Sequence, residues 1–335
     1  MAWHYGDPVC EQHALAAGRA VVDLSHRGVL RVTGADRLSW LHSLTTQDLA
    51  ELPPHRPAET LLLSPRGHVE YALHLVDDGD ASWITVEPGR AGSLAAWLES
   101  MRFLLRVQVE DVTVGWAVLG RVGWPPSQTG GPPVWDDPWP RPDPWPDRSA
   151  DRDTTHGTGR REGAGRDHPG YARPWREWLV ERRDLLDTVS RAPALAGAWA
   201  EQALRVAALR PRDGAETDHR TVPHELDWLR SAVHLDKGCY RGQETVAKIH
   251  NLGRPPRRLT LLHLDGSEHG LPEPGDAVDL DGRRVGRVTT PVRHAELGPI
   301  ALAVLSMRTP LDADLLVHPQ GQNPIAAAQE PIVRP

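Results

Sequence analysis

From about Gly123 to Pro174 this chain of 335 residues offers almost nothing to bury. Prolines 125, 126, 132, 133, 138, 140, 142, 144 and 146 crowd the first half of that stretch, and residues 151–167 are rich in Arg, Asp and Gly. Such a composition cannot offset its own ordering entropy by burial. The core must therefore come from the two flanks. The stretch reads as a mobile surface excursion with local polyproline II character. Trp135, Trp139 and Trp145 fit that reading poorly, and an extended cover packed on the body is the alternative they suggest.

The first flank alternates short strands with helices. Residues 28–33 alternate apolar and polar side chains and read as a strand broken by Gly34. Asp36 then looks like the N-cap of a helix carrying Leu38, Leu41 and Leu44. Leu61-Leu62-Leu63 is a short buried strand, and Ser64-Pro65-Arg66-Gly67 turns the chain. Val69, Tyr71, Leu73 and Leu75 alternate with polar or small neighbours, as a half-buried strand requires. Leu94, Trp97, Leu98 and Met101 share one helical face. Strands over 82–86, 107–109 and 112–119 complete an α+β layer with antiparallel pairing.

Beyond the excursion the pattern predicts a strand at 178–180, a helix over 182–189 and another from about 195 to 209, stopped by Pro211. Past Gly253-Arg254-Pro255-Pro256 it becomes purely β, with strands near 259–264, 277–280, 284–289 and 300–305. Asp281-Gly282 is a hairpin turn signal, and the close punctuation by Gly and Pro suggests a small barrel. The division expected is an α+β region over 1–252 in two subdomains, interrupted at about 123–174. A β-barrel over 253–318 and an irregular tail over 319–335 follow.

Between helix and barrel lies Asp236-Lys237-Gly238-Cys239-Tyr240-Arg241-Gly242-Gln243-Glu244. Two glycines around a Cys-Tyr pair predict a sharp turn. Val246 and Ile249, with Glu244 placed for a first helical turn, predict a short helix after Gly242. A nearby cation and a helix N-terminus both favour thiolate, so Cys239 is a candidate reactive cysteine tuned by Lys237. The bland alternative is a buried structural cysteine.

Lys-Gly-Cys-Tyr-x-Gly-Gln-Glu at 237–244 resembles the signature of the folate-binding YgfZ family, a relative of the glycine-cleavage T-protein (aminomethyltransferase) superfamily. The resemblance extends to Asp23-Leu24-Ser25-His26, Gly34-Ala35-Asp36, Thr46-x-Asp48, Ala203-Leu204-Arg205-Val206, Gly286-x-Val288-Thr289 and Ile300-Ala301-Leu302-Ala303. It implies a cloverleaf of α+β subdomains around a central folate pocket, with a small C-terminal β-barrel. It also implies tetrahydrofolate or a derivative as cofactor and support of iron–sulfur cluster assembly or repair in client enzymes. Cys239 and Lys237 are then the chemically active candidates, and Arg205, Tyr71, Tyr240 and Gln243 the folate-pocket candidates. An alternative is a folate-dependent aminomethyl or methyl transferase.

The departures bear on that alternative. T-proteins carry Asp-Asp after a Gly-Gly-x-x step, one of the pair being catalytic. Here that pair falls on Tyr71-Ala72, which supply no carboxylate. The family's Glu-Ala-Gly is Ala207-Ala208-Leu209, and Lys248 stands where Arg is frequent. Whether the chain is an enzyme is open on these residues. A thiol enzyme unrelated to folate ranks last, because none of the 17 histidines is paired with Cys239 by a local signature.

A net charge of −7 gives no reason to expect nucleic acid or an anionic membrane as partner. Two distant cysteines make neither a metal motif nor a disulfide scaffold, and no zinc-type histidine spacing occurs. The N-terminus shows no basic-then-apolar leader, and no apolar stretch could span a bilayer. A cytoplasmic protein is the expectation.

Overall fold

The computed structural model describes residues 1–123, 133–140, 168–267, 270–321 and 323–333. Helix α1 (Pro8–Ala16) is capped by the Asp7 carboxylate, which accepts from the backbone N–H groups of Val9 and Cys10. Next come β1 (Val21–Asp23), β2 (Gly28–Thr33), α2 (Arg37–Leu44), β3 (Pro57–Leu63), β4 (Val69–Asp77) and β5 (Ala81–Val86). They are followed by α3 (Ala91–Ser100), β6 (Gln108–Asp111) and β7 (Trp116–Val122). The middle of the chain holds β8 (Val134–Asp136), β9 (Trp175–Glu181), α4 (Leu185–Ser190), β10 (Leu195–Ala196) and α5 (Ala198–Ala207). Helix α6 (Gln243–Leu252) precedes β11 (Arg257–Leu264), β12 (Ala277–Leu280) and β13 (Arg283–His294). The chain then runs through β14 (Gly298–Ser306), β15 (Leu315–His318) and β16 (Ile325–Pro331).

The fold is α+β. The described strands make two five-stranded sheets, ordered β3-β4-β5-β2-β6 and β10-β1-β7-β9-β8, and a closed barrel, β11-β14-β13-β12-β15-β16. Every pairing is antiparallel except β1 with β10. In the first sheet, α2 and α3 cover one face: Trp40, Leu41, Leu94 and Leu98 pack on Leu30, Leu73, Leu75 and Ile84. The barrel interior is aliphatic, with Leu262, Val278, Val288, Leu305, Leu315 and Val317 in one cluster. A third cluster joins the parts, bringing Leu61, Val69, Val206, Trp228, Tyr240 and Leu302 together.

Several expectations change at the boundaries. Asp36 makes no side-chain cap, because its carboxylate is taken by the Arg106 backbone N–H and guanidinium at 2.8 and 2.7 Å. The helix expected from 195 begins only at Ala198, since Leu195–Ala196 pair with β1 as a strand. The tail is not irregular throughout, because residues 325–331 form β16 and close the barrel against β11. The hairpin at Asp281-Gly282 forms, with φ of 50° and 75° as a type I′ turn needs.

The excursion is corrected in part. Residues 133–140 pack on the body: β8 pairs with β9, Trp135 and Trp139 are buried, and their indole N–H groups donate to Ala58 and Ala208 carbonyls. Trp145 and residues 151–167 lie outside the described residues. Among the described residues no helix is long and apolar enough to cross a membrane.

Candidate functional site

The Cys239 loop is locked from both sides. Gly242 holds φ at 82° as the N-cap of α6. A Cβ there would lie 2.5 Å from the Ser64 carbonyl and 2.9 Å from the Gly67 backbone, so only glycine fits. The β3–β4 turn and the signature loop thus touch backbone to backbone. The helix expected after Gly242 is present, with Val246 buried and Glu244 in its first turn. Gly238 has no positive φ, and a Cβ there would meet nothing within 4 Å, so it is not a steric requirement.

Lys237 works differently from the tuning cation expected. Its ammonium donates to the carbonyls of His42, Thr45 and Gln47 at 2.5, 2.7 and 2.8 Å. An ammonium has three donors, and all three are used. These carbonyls belong to the C-terminal turn of α2 and the loop after it, where a cation is favoured. Lys237 is buried, and burial pushes its ammonium down to about 7, with Asp48 working in the opposite direction. Its role is to pin the loop, while Cys239 stands exposed.

Tyr240 points inward. It is buried in the cluster with Val246 and Leu302, its ring lies 5.2 Å from the Lys237 ammonium, and burial pushes its phenol up to about 12. Gln243 returns a side-chain N–H to the Lys237 carbonyl at 3.2 Å and so braces the turn. Both serve the loop's shape.

Arg205, read as a folate-carboxylate ligand, is spent internally. Its guanidinium donates to the Arg210 carbonyl at 2.7 Å, to Glu216 at 3.0 Å and to the Thr290 hydroxyl of β13 at 3.0 Å. It ties α5 to the barrel. The cavity beside it holds about 30 Å³, room for little more than a water.

The larger opening is a cleft of about 530 Å³ beside the first residues of β4, lined by Glu70, Tyr71, Arg90, Trp97 and Asp213 among others. That volume is in the range of small-molecule sites, roughly 300–1,000 Å³. Tyr71 faces it, with its hydroxyl donating to Ser93 at 3.0 Å and the Arg90 guanidinium 4.3 Å over its ring. Arg241, two residues beyond Cys239, reaches the rim: it lies 3.5 Å from the Glu70 carboxylate and 5.4 Å over the Trp97 ring. The structure therefore brings the Cys239 loop to the edge of the Tyr71 cleft, and leaves Arg205 outside it.

Sequence reasoning missed Arg90, Trp97, Arg241 and Asp213 as site residues. Trp97 carries the spacing of a helix core position. Asp213 sits in an aperiodic connection after α5 that carries no local signal. Among the described residues no group of three or more His, Cys, Asp or Glu could hold a metal ion.

Residues 2–128 match the family model described as the GCVT N-terminal domain. The similarity is to the T-protein superfamily. A putative chloroplastic transferase of Arabidopsis thaliana is 28% identical over 285 residues, 82% of this chain but 62% of that protein. This chain thus spans less than two thirds of that relative. The mitochondrial iron–sulfur cluster assembly factor IBA57 homologue of Mycosarcoma maydis is 21% identical, covering 83% of this chain and 65% of that protein. In structure, the glycine cleavage system aminomethyltransferase T of Bartonella henselae superimposes with a TM-score of 0.71 at 17% identity. The match covers 98% of this chain and 88% of the other, and at that identity it shows the fold alone.

Proposed function

We propose that this is a folate-binding protein that supports assembly or repair of iron–sulfur clusters in other enzymes, with Cys239 as the working thiol. The observation that carries the reading is the exposed Cys239 on a loop locked to the rim of the Tyr71 cleft. The name of the Mycosarcoma relative and the YgfZ-like signature support it. The volume of the cleft and its mixed lining of aromatic and charged side chains, Tyr71, Trp97 and Arg90 among them, support a reduced folate as its ligand. The folate-binding role falls to the region over 1–252, with the barrel beyond it.

Tetrahydrofolate at about a hundred times its dissociation constant should stabilise the native state by about 2.7 kcal/mol and raise the melting temperature by several degrees. No shift and no binding heat at saturation removes folate. Cys239→Ser should keep the fold and fail to restore cluster-containing enzymes in cells lacking the native protein. Full restoration removes the thiol from the reading. Alkylation checks the same residue: Asp7 accepts a hydrogen bond from the Cys10 thiol and pushes that thiol's pKa up. Cys239 should therefore react at lower pH than Cys10, and equal rates would count against it.

The alternative is a folate-dependent one-carbon transferase. The name of the Arabidopsis protein favours it, and the absence of a carboxylate at Tyr71 and Ala72 counts against it. Release of ammonia from an aminomethylated lipoyl carrier in the presence of tetrahydrofolate would restore it.

A further inference from the structure

Six arginines are buried among the described residues, and one of them lacks a counter-charge. Arg27, Arg173, Arg176, Arg205 and Arg210 each meet a carboxylate at 3.0 Å or less. Arg258, fully buried on β11, meets none among the described residues, and burial lowers its pKa with no carboxylate to offset it. Its neighbour Arg257 reaches Asp218 at 2.6 Å and Glu225 at 2.8 Å. Strand alternation separates the two, because residues two apart share a face. Leu262 and Leu264 belong to the cluster inside the barrel, so Arg258 and Thr260 face the interior at the first end of the same strand.

The Arg258 guanidinium is held, but only by neutral oxygens. Nη1 donates to the carbonyls of Ser306 and Met307 at 3.3 and 3.2 Å, and Nη2 donates to Gln329 Oε1 at 3.0 Å. The Gln329 amide in turn donates to the carbonyls of Pro310 and Ala313 at 2.8 and 2.9 Å, so the loop over 306–313 lies closed on this end of the barrel. A guanidinium has five N–H donors. Arg258 Nε is among those without a partner, and so are the hydroxyls of Thr260, fully buried, and Thr309, 4% exposed. Thr309 belongs to the closing loop, its backbone N–H donating to the Ser306 carbonyl. A charge held away from water without a counter-charge is costly. A water molecule would meet the free donors and leave the charge. A small anion meets both, and the burial of all three side chains excludes a large one.

We propose that Arg258, Thr260 and Thr309 hold a small monovalent anion, chloride, at the end of the barrel beneath the 306–313 loop. The site is separate from the Tyr71 cleft, and the inference does not rest on the folate reading. The test is the melting temperature of the full chain in mixtures of sodium chloride and sodium gluconate at one ionic strength, gluconate being too large to enter. A rise of about 2 °C or more is expected as chloride goes from about 5 to about 200 mM. Arg258→Met removes the charge and should abolish that rise. Thr309→Val is nearly isosteric and keeps the charge; it should need at least threefold more chloride for the same rise, and it carries the comparison if Arg258→Met does not fold. Crystals grown in sodium bromide should show an anomalous peak within hydrogen-bond reach of Arg258 Nε. A melting temperature that ignores the chloride fraction overturns the inference. So does an unchanged chloride dependence in either variant, or a barrel end without bromide.

Discussion

The barrel and the seam between the two sheets are held together by opposite chemistry. The barrel interior is a cluster of Leu, Val, Ile and Ala side chains. The seam is filled with charge. Arg27 donates to Glu177 at 2.6 Å, and Arg173 and Arg212 donate to the two oxygens of Glu201 at 2.8 and 2.7 Å. Arg210 reaches Glu59 at 2.8 Å and Asp137 at 3.1 Å, and Arg205 joins Glu216. Apolar burial is non-directional and tolerates repacking. A buried ion network is worth little in net stability when whole, yet losing one member strands a charge away from water. The seam thus fixes how strands, α5 and barrel meet, and the barrel supplies stability that does not depend on protonation.

The sharpest way to break this comparison is Glu201→Ala. It leaves Arg173 and Arg212 facing each other without their shared carboxylate. A loss of about 3–5 kcal/mol is expected from denaturant unfolding. A loss below about 1 kcal/mol would show that the seam relaxes or admits water. Leu262→Ala, fully buried in the barrel, should cost about 2–5 kcal/mol by the cavity it leaves. The two variants should then separate with pH. The arginines around it, Arg212 foremost, hold the Glu201 carboxyl at about 2 against burial, below its ordinary value of 4.5. The folded state therefore binds fewer protons than the unfolded one between those values. The stability it contributes is full above about pH 4.5 and is lost as pH falls toward 2, on the order of 3 kcal/mol. Glu177 is likewise held well below its ordinary range. The cost of Leu262→Ala should stay constant over the same window, and a parallel fall would erase the distinction. The smallest effect is expected at the surface: Arg191→Ala removes an exposed pair with Asp187 and should change stability by at most about 0.5 kcal/mol.

The strands of β3, β4 and β14, the helix after Gly242 and the turn at Asp281-Gly282 were legible because their signals are local. Alternation, cap and turn chemistry act within a few residues. The barrel's last strand was not legible, since Ile325-Ala326-Ala327-Ala328 is too small and weakly patterned to announce itself. Its pairing with β11 decides it. Among Pro-rich residues, composition argued for solvent, yet Trp135 and Trp139 bury because the body presents carbonyls for both indoles.

The site divides the same way. The sequence by itself determined the Cys239 loop, because two glycines, a cysteine and a helix start lie within a few residues and need no distant partner to be recognised. It also determined that positions 71 and 72 bring no carboxylate of their own. Only the tertiary structure decided that Lys237 spends its charge on the carbonyls after α2 and that Arg205 spends its charge on Glu216 and Thr290. Only it set Asp213 between Arg90 and Thr217, in the lining of a cleft whose rim is held by Arg241. The physical reason is that a charged side chain takes its role from the groups that meet it. For a buried cation or carboxylate those groups come from other segments of the chain, which no local pattern records.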